Sequence, residues 1–157
     1  MSNPHFLSFS SWNDVQKQVP FKLFLPVDTL GETLQSLQLH IRDHKLRDLE
    51  PSQQSLEAHY GAFVYSQAQR SIEEARRLAL SVAYGADARD ISIAGHNGKI
   101  YERGPEVPPN DIDGRSPAVV AWHDGGLFLL IASDRKEVDD LLRVAKSLYA
   151  STEAGNQ

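Results

Sequence analysis

Apolar and polar positions are most clearly patterned in the last third of the chain. Ala118–His123 and Leu127–Ala132 are apolar, β-prone runs separated by Asp124-Gly125-Gly126, which supplies the positive φ values of a hairpin turn. After the second run comes Asp134, with Glu137 three residues on, the spacing of a capping box. Val138, Leu141, Leu142, Ala145, Leu148 and Tyr149 then recur at the spacing of one helical face. Arg135, Lys136, Asp139, Asp140, Arg143 and Lys146 fall mostly on the other face. The pattern predicts strand, turn, strand, then a helix laid across the sheet. Trp122 is expected beneath that helix and His123 on the opposite side, because adjacent strand residues point to opposite faces.

Upstream, Leu37, Leu39 and Ile41 alternate with Gln38, His40 and Arg42, the period of a half-buried strand. Ser11 with Asp14 opens a short helix over Trp12–Gln18, stopped by Pro20. Phe21–Leu25 and Ala62–Tyr65 are strand candidates, and Asp43–Gln54 is a polar surface segment. Ser71–Leu80 reads as a helix capped by Ser71 and Glu74, followed by an alternation from Leu80 to Tyr84. Ile91–Ala94 and Lys99–Glu102 flank Gly95-His96-Asn97-Gly98, in which Asn-Gly is a hairpin signal. Gly104–Pro117, rich in Pro and Gly, is expected to be an irregular loop. The sum is an α+β fold: an antiparallel sheet of five or six strands with a C-terminal helix packed on one face. Residues 1–149 form a single domain in this reading, and 150–157 a polar tail.

Bulk properties narrow the partners. A net charge of −5 over 157 residues, without a dense Lys/Arg cluster, argues against nucleic acid. The absence of cysteine removes disulfides, thiolate nucleophiles and Cys-ligated zinc. No apolar run approaches a membrane span, and MSNPHFLSFSSW does not have the layout of a secretory leader. The expectation is a soluble, cytoplasmic protein without membrane insertion.

Catalytic motifs are missing. Neither a G-x-S-x-G elbow nor a phosphate-cradling glycine motif occurs. Of the histidines at 5, 40, 44, 59, 96 and 123, His40 and His44 have a spacing that suits a metal on a helix, but no pair has the HExxH arrangement and spacing dictates no third ligand. His40 and His44, four apart on a strand, would lie roughly 13 Å from each other. Asp111-x-Asp113-Gly114 has only part of a calcium loop and is better read as a turn. No catalytic residue, metal or cofactor is therefore assigned. The candidate binding residues are Asn110, Asp111, Asp113 and Arg115 in the Pro-rich loop, together with His123.

Several pieces of the chain resemble a family of bacterial domains of unknown function found in anti-sigma-factor-like and sporulation-related extracytoplasmic proteins. They are Ile93-Ala94-Gly95 with Gly98, Val120-Ala121-Trp122, Asp124-Gly125-Gly126, Phe128–Ser133 and Val144–Leu148. Val19-Pro20-Phe21 to Leu25-Pro26, followed by Leu30, is similar to that family's first strand. The resemblance implies a tryptophan-bearing strand paired with the next strand before a terminal helix, and it carries over no catalytic residue. The leading expectation is a small binding or regulatory domain contacting a protein or a small apolar ligand. A hydrolase or metal-dependent enzyme built on His40, His59, His96 and His123 is the second. A self-associating homodimer is the third.

Overall fold

The computed structural model describes residues 5–43, 45–82, 88–102 and 117–155. The elements run β1 (Phe6–Phe9), α1 (Trp12–Gln16), β2 (Leu34–His40), β3 (Ser55–Tyr60), β4 (Val64–Gln69), α2 (Ile72–Val82), β5 (Arg89–Ile93), β6 (His96–Tyr101), β7 (Ala118–Asp124), β8 (Leu127–Ser133) and α3 (Val138–Gly155). All eight strands join one antiparallel sheet in the order β1-β2-β3-β4-β8-β7-β6-β5. It consists of two meanders whose last strands, β4 and β8, pair at the centre with Tyr65 opposite Ile131.

The α+β class and the C-terminal helix stand, but the sheet has eight strands rather than five or six. β1 and β3 account for the difference. β1 reads Phe-Leu-Ser-Phe, with no clean alternation, and sits at an edge. β3 does alternate, burying Leu56, Ala58 and Tyr60, but its central inward residue is only an alanine.

β7 is apolar through Ala118–Trp122 and β8 through Leu127–Ala132 because both their faces are covered. Trp122, Val120, Leu129 and Ile131 point toward α3 and join Leu141, Val144 and Leu148 in the main core. Val119, Ala121, Phe128 and Leu130 point the other way, toward Ala75 and Ala79 of α2. Trp122 and His123 thus face opposite sides, as their adjacency requires.

The expected strand at Phe21–Leu25 is instead an extended strap across the α3 face, outside the sheet ladder. It buries Phe21, Leu23 and Phe24. Its backbone groups need partners, and two glutamine side chains provide them. Gln16 Nε2 donates to the Phe21 carbonyl at 2.8 Å, and its Oε1 accepts from the Leu23 amide at 2.9 Å. Gln67, fully buried, donates to the Lys22 carbonyl at 2.5 Å and accepts from the Phe24 amide at 2.9 Å. Its Oε1 also accepts from the Tyr65 hydroxyl at 2.7 Å.

The capping expectations divide. Ser11 accepts from the Asp14 amide at 3.2 Å, and Ser71 from the Glu74 amide at 3.2 Å. α1 stops at Gln16, two residues short of the expected end. Residues 134–136 form a bend before α3, which starts at Val138 and not just after Asp134. The Ser133 hydroxyl organises that bend, accepting from the amides of Arg135 and Lys136 at 3.0 and 2.8 Å. The alternation expected to begin at Leu80 is overridden by α2, which continues through Val82; residues 83–84 lie outside the described residues.

The β5–β6 turn is Ala94-Gly95, with φ of 51° and 85°, and Asn97-Gly98 lies inside β6. The glycine that suggested a turn serves a close approach. A Cβ at Gly98 would come within 2.6 Å of the Ala121 carbonyl and 2.8 Å of Trp122 Cβ. The turn itself is made by Ala94, which accepts a left-handed backbone that costs a non-glycine residue about 1–2 kcal/mol.

Candidate functional site

α2 approaches the sheet through small side chains. Ala75 and Ala79 are its buried residues among those described, and they face Ala121, Phe128 and Tyr101. Alanine opposite alanine leaves space that longer side chains would fill. The result is a groove of about 640 Å³ between α2 and strands β5–β8. Its floor is apolar, with Ala75, Ala79, Ala121, Phe128 and the ring of Tyr101. Burial raises the Tyr101 hydroxyl above its usual pKa, so the phenol is neutral at ordinary pH. The rim is polar, formed by Arg76 on α2, Asp90 and Asn97 on the outer hairpin, Lys99 on β6 and His123 on β7. Lys99 Nζ hydrogen-bonds the Asp90 carboxylate, which holds that carboxyl below the usual range.

His123 also fixes the entry to α2. Its Nε2 lies 2.7 Å from the Arg70 carbonyl. A carbonyl only accepts, so Nε2 carries a proton and is the donor in this contact. The Arg70 amide donates to the Gly126 carbonyl at 3.0 Å, and its guanidinium to the Gln69 and Gln53 carbonyls. The start of α2 is therefore anchored by hydrogen bonds, while its body rests on two alanines.

Of the expected binding residues, His123 lines this groove. Asn110, Asp111, Asp113 and Arg115 lie outside the described residues, as does His44.

The four histidines considered for an enzyme do not converge. His40 and His59 meet on the solvent-facing side of β2 and β3, with Glu57 between them. Glu57 Oε1 accepts from His59 Nε2 at 2.9 Å. His40 Nε2 lies 2.7 Å from Oε2, close enough for an ion pair but without the alignment of a hydrogen bond. Glu57 raises the pKa of His40, and His40 in turn lowers that of Glu57. His96 lies on the α3 side, with its ring stacked on Tyr149 at 5.7 Å. His123 is across the sheet from it. Among the described residues, no cluster of three or more His, Asp or Glu side chains has the geometry to hold a metal ion.

Asp124 does more than make a turn. Its Oδ2 accepts from the Tyr149 hydroxyl at 2.9 Å and lies 3.4 Å from His96 Nε2. The Tyr149 oxygen in turn accepts from Trp122 Nε1 at 2.8 Å. Burial pushes the Tyr149 hydroxyl far above its ordinary pKa, so it stays a donor to the carboxylate. This chain of contacts ties both hairpin ends to α3. The signal was in the register: Gly98 pairs with Trp122, so two residues along the same strands bring His96 opposite Asp124.

No protein-family profile, curated protein or solved structure matches the chain. No described helix is long and apolar enough to cross a membrane.

Proposed function

We propose that this protein is a non-enzymatic binding module that takes a small, largely apolar ligand between α2 and the β5–β8 half of the sheet. The observation that carries the reading is the groove of about 640 Å³ walled by Ala75, Ala79 and Ala121, a volume in the range of small-molecule sites. Binding there would pack α2 more firmly onto the sheet, which is how occupancy could be read by a partner. A regulatory role of this kind is in keeping with the resemblance to bacterial anti-sigma-factor-like domains. Among the described residues no Ser or Thr hydroxyl is hydrogen-bonded to a histidine, and the chemistry-bearing side chains are divided among separate places. Both points favour binding over catalysis.

The neutral fluorophore N-phenylnaphthylamine tests this directly. The expected result is saturable binding at one site, weakened at least about tenfold by Ala79→Phe, whose ring would occupy the groove. Thermal melting should show that the variant stays folded. Binding unchanged by Ala79→Phe would overturn the proposal.

A further inference from the structure

We infer that the groove selects ligands whose apolar body carries a single anionic head, such as a free acyl or aryl carboxylate. The inference rests on the groove being a binding site and concerns what its rim recognises. The protein as a whole is acidic, with a net charge of −5. The groove rim is not. It presents Arg76 and Lys99 against one acid, Asp90. That acid is already hydrogen-bonded by Lys99, whose ammonium has three donors and so retains capacity for a second partner. Arg76 projects from an exposed position on α2, one residue after Ala75 of the floor. A guanidinium is suited to gripping a carboxylate or sulfonate through paired N–H groups. The apolar floor and the cationic rim belong to two sides of one groove, so a ligand satisfying both must be amphipathic. A doubly charged or wholly polar ligand would leave Phe128, Ala79 and Ala121 without an apolar partner.

A matched pair of probes isolates the head group. Anilinonaphthalene sulfonate and N-phenylnaphthylamine share an apolar body and differ by the sulfonate. The native protein should bind the sulfonate more tightly. Arg76→Gln should lower the ratio of the two affinities about fivefold, the scale of a partly exposed charge pair. Lys99→Gln should lower it further, and Arg76→Lys should retain most of it, separating charge from a change in helix packing. Added salt should reduce the ratio in the native protein. A ratio that stays the same in Arg76→Gln and Lys99→Gln, or that salt does not move, would overturn anion selection. If Ala79→Phe still weakens the neutral probe in that case, the groove survives as a binding site and only the choice of ligand class fails. If Ala79→Phe leaves both probes unaffected, both readings fall.

Discussion

The two helices that cover the sheet do so in opposite ways. α3 drives Val138, Leu141, Val144, Ala145 and Leu148 into the core, each 1% exposed or less. α2 lies over β7 and β8 from the other side, yet its described buried residues are two alanines, with the groove-lining Ile72 47% exposed and Leu78 42% exposed. Apolar side chains on β7 and β8 ask to be covered on both faces. One face is filled by long aliphatic side chains. On the other, covering without filling leaves a groove. The difference puts tight packing on the α3 face and an open groove on the α2 face.

The largest expected effect comes from breaking the closed face at Gln67. Gln67→Leu keeps the volume but strips partners from the Phe24 amide, the Lys22 carbonyl and the Tyr65 hydroxyl, all buried or partly buried. Each orphaned group costs about 1–3 kcal/mol, and a loss of about 4 kcal/mol in urea unfolding is expected, allowing for partial rescue by water. A smaller pair of changes compares the helices directly. Leu141→Ala removes a fully buried side chain from α3 and should cost about 3 kcal/mol. Ile72→Ala, at the groove edge of α2 and 47% exposed, should cost less than about 1 kcal/mol. Equal losses for the two would show that α2 is as tightly packed as α3 and would remove the contrast.

How much of this was legible depended on which interaction dominated locally. β7, the Asp124-Gly125-Gly126 turn, β8 and the α3 stripe could be read because turn chemistry and periodicity agree there. Gly125 and Gly126 adopt the positive φ values their turn requires. The unbroken runs at Val119–Trp122 and Phe128–Ile131 also signalled covering on both faces, although the sequence reading placed a helix on one. The strap at 21–24 was misread because its extended, apolar character is real. What decides it is Gln67, forty-odd residues away in sequence, whose side chain takes the place of a neighbouring strand. Asn97-Gly98 misled because glycine answers two demands, a positive φ and a close approach, and only the fold shows which applies. The groove was not legible at all. It arises from small residues on three elements meeting in space, and no pattern along the chain marks that. His123 was placed on the correct side by strand alternation alone.

The α2 side itself divides, and this gives the smallest effect. Over β7 and β8 it is covered and apolar, whereas over β2 and β3 it is solvent-facing and holds His40, Glu57 and His59, each about one-third exposed. Packing contributes little there, so charge should be visible in the pH dependence of stability. His40 is raised from 6.5 by Glu57. Its contribution is complete below about 6.5 and is lost as pH rises through the higher folded-state value. Glu57 is lowered from 4.5, chiefly by His40. Its contribution is complete above about 4.5 and is lost as pH falls through the lower folded-state value. The pair is thus at full strength between about pH 4.5 and 6.5. Solvent screening limits it to less than about 1 kcal/mol. Urea unfolding of the native protein and Glu57→Gln should differ most near pH 5.5 and converge toward about pH 3 and pH 8. A difference that does not vary with pH would mean that Glu57 acts through shape alone and that the open half of the sheet is electrostatically inert.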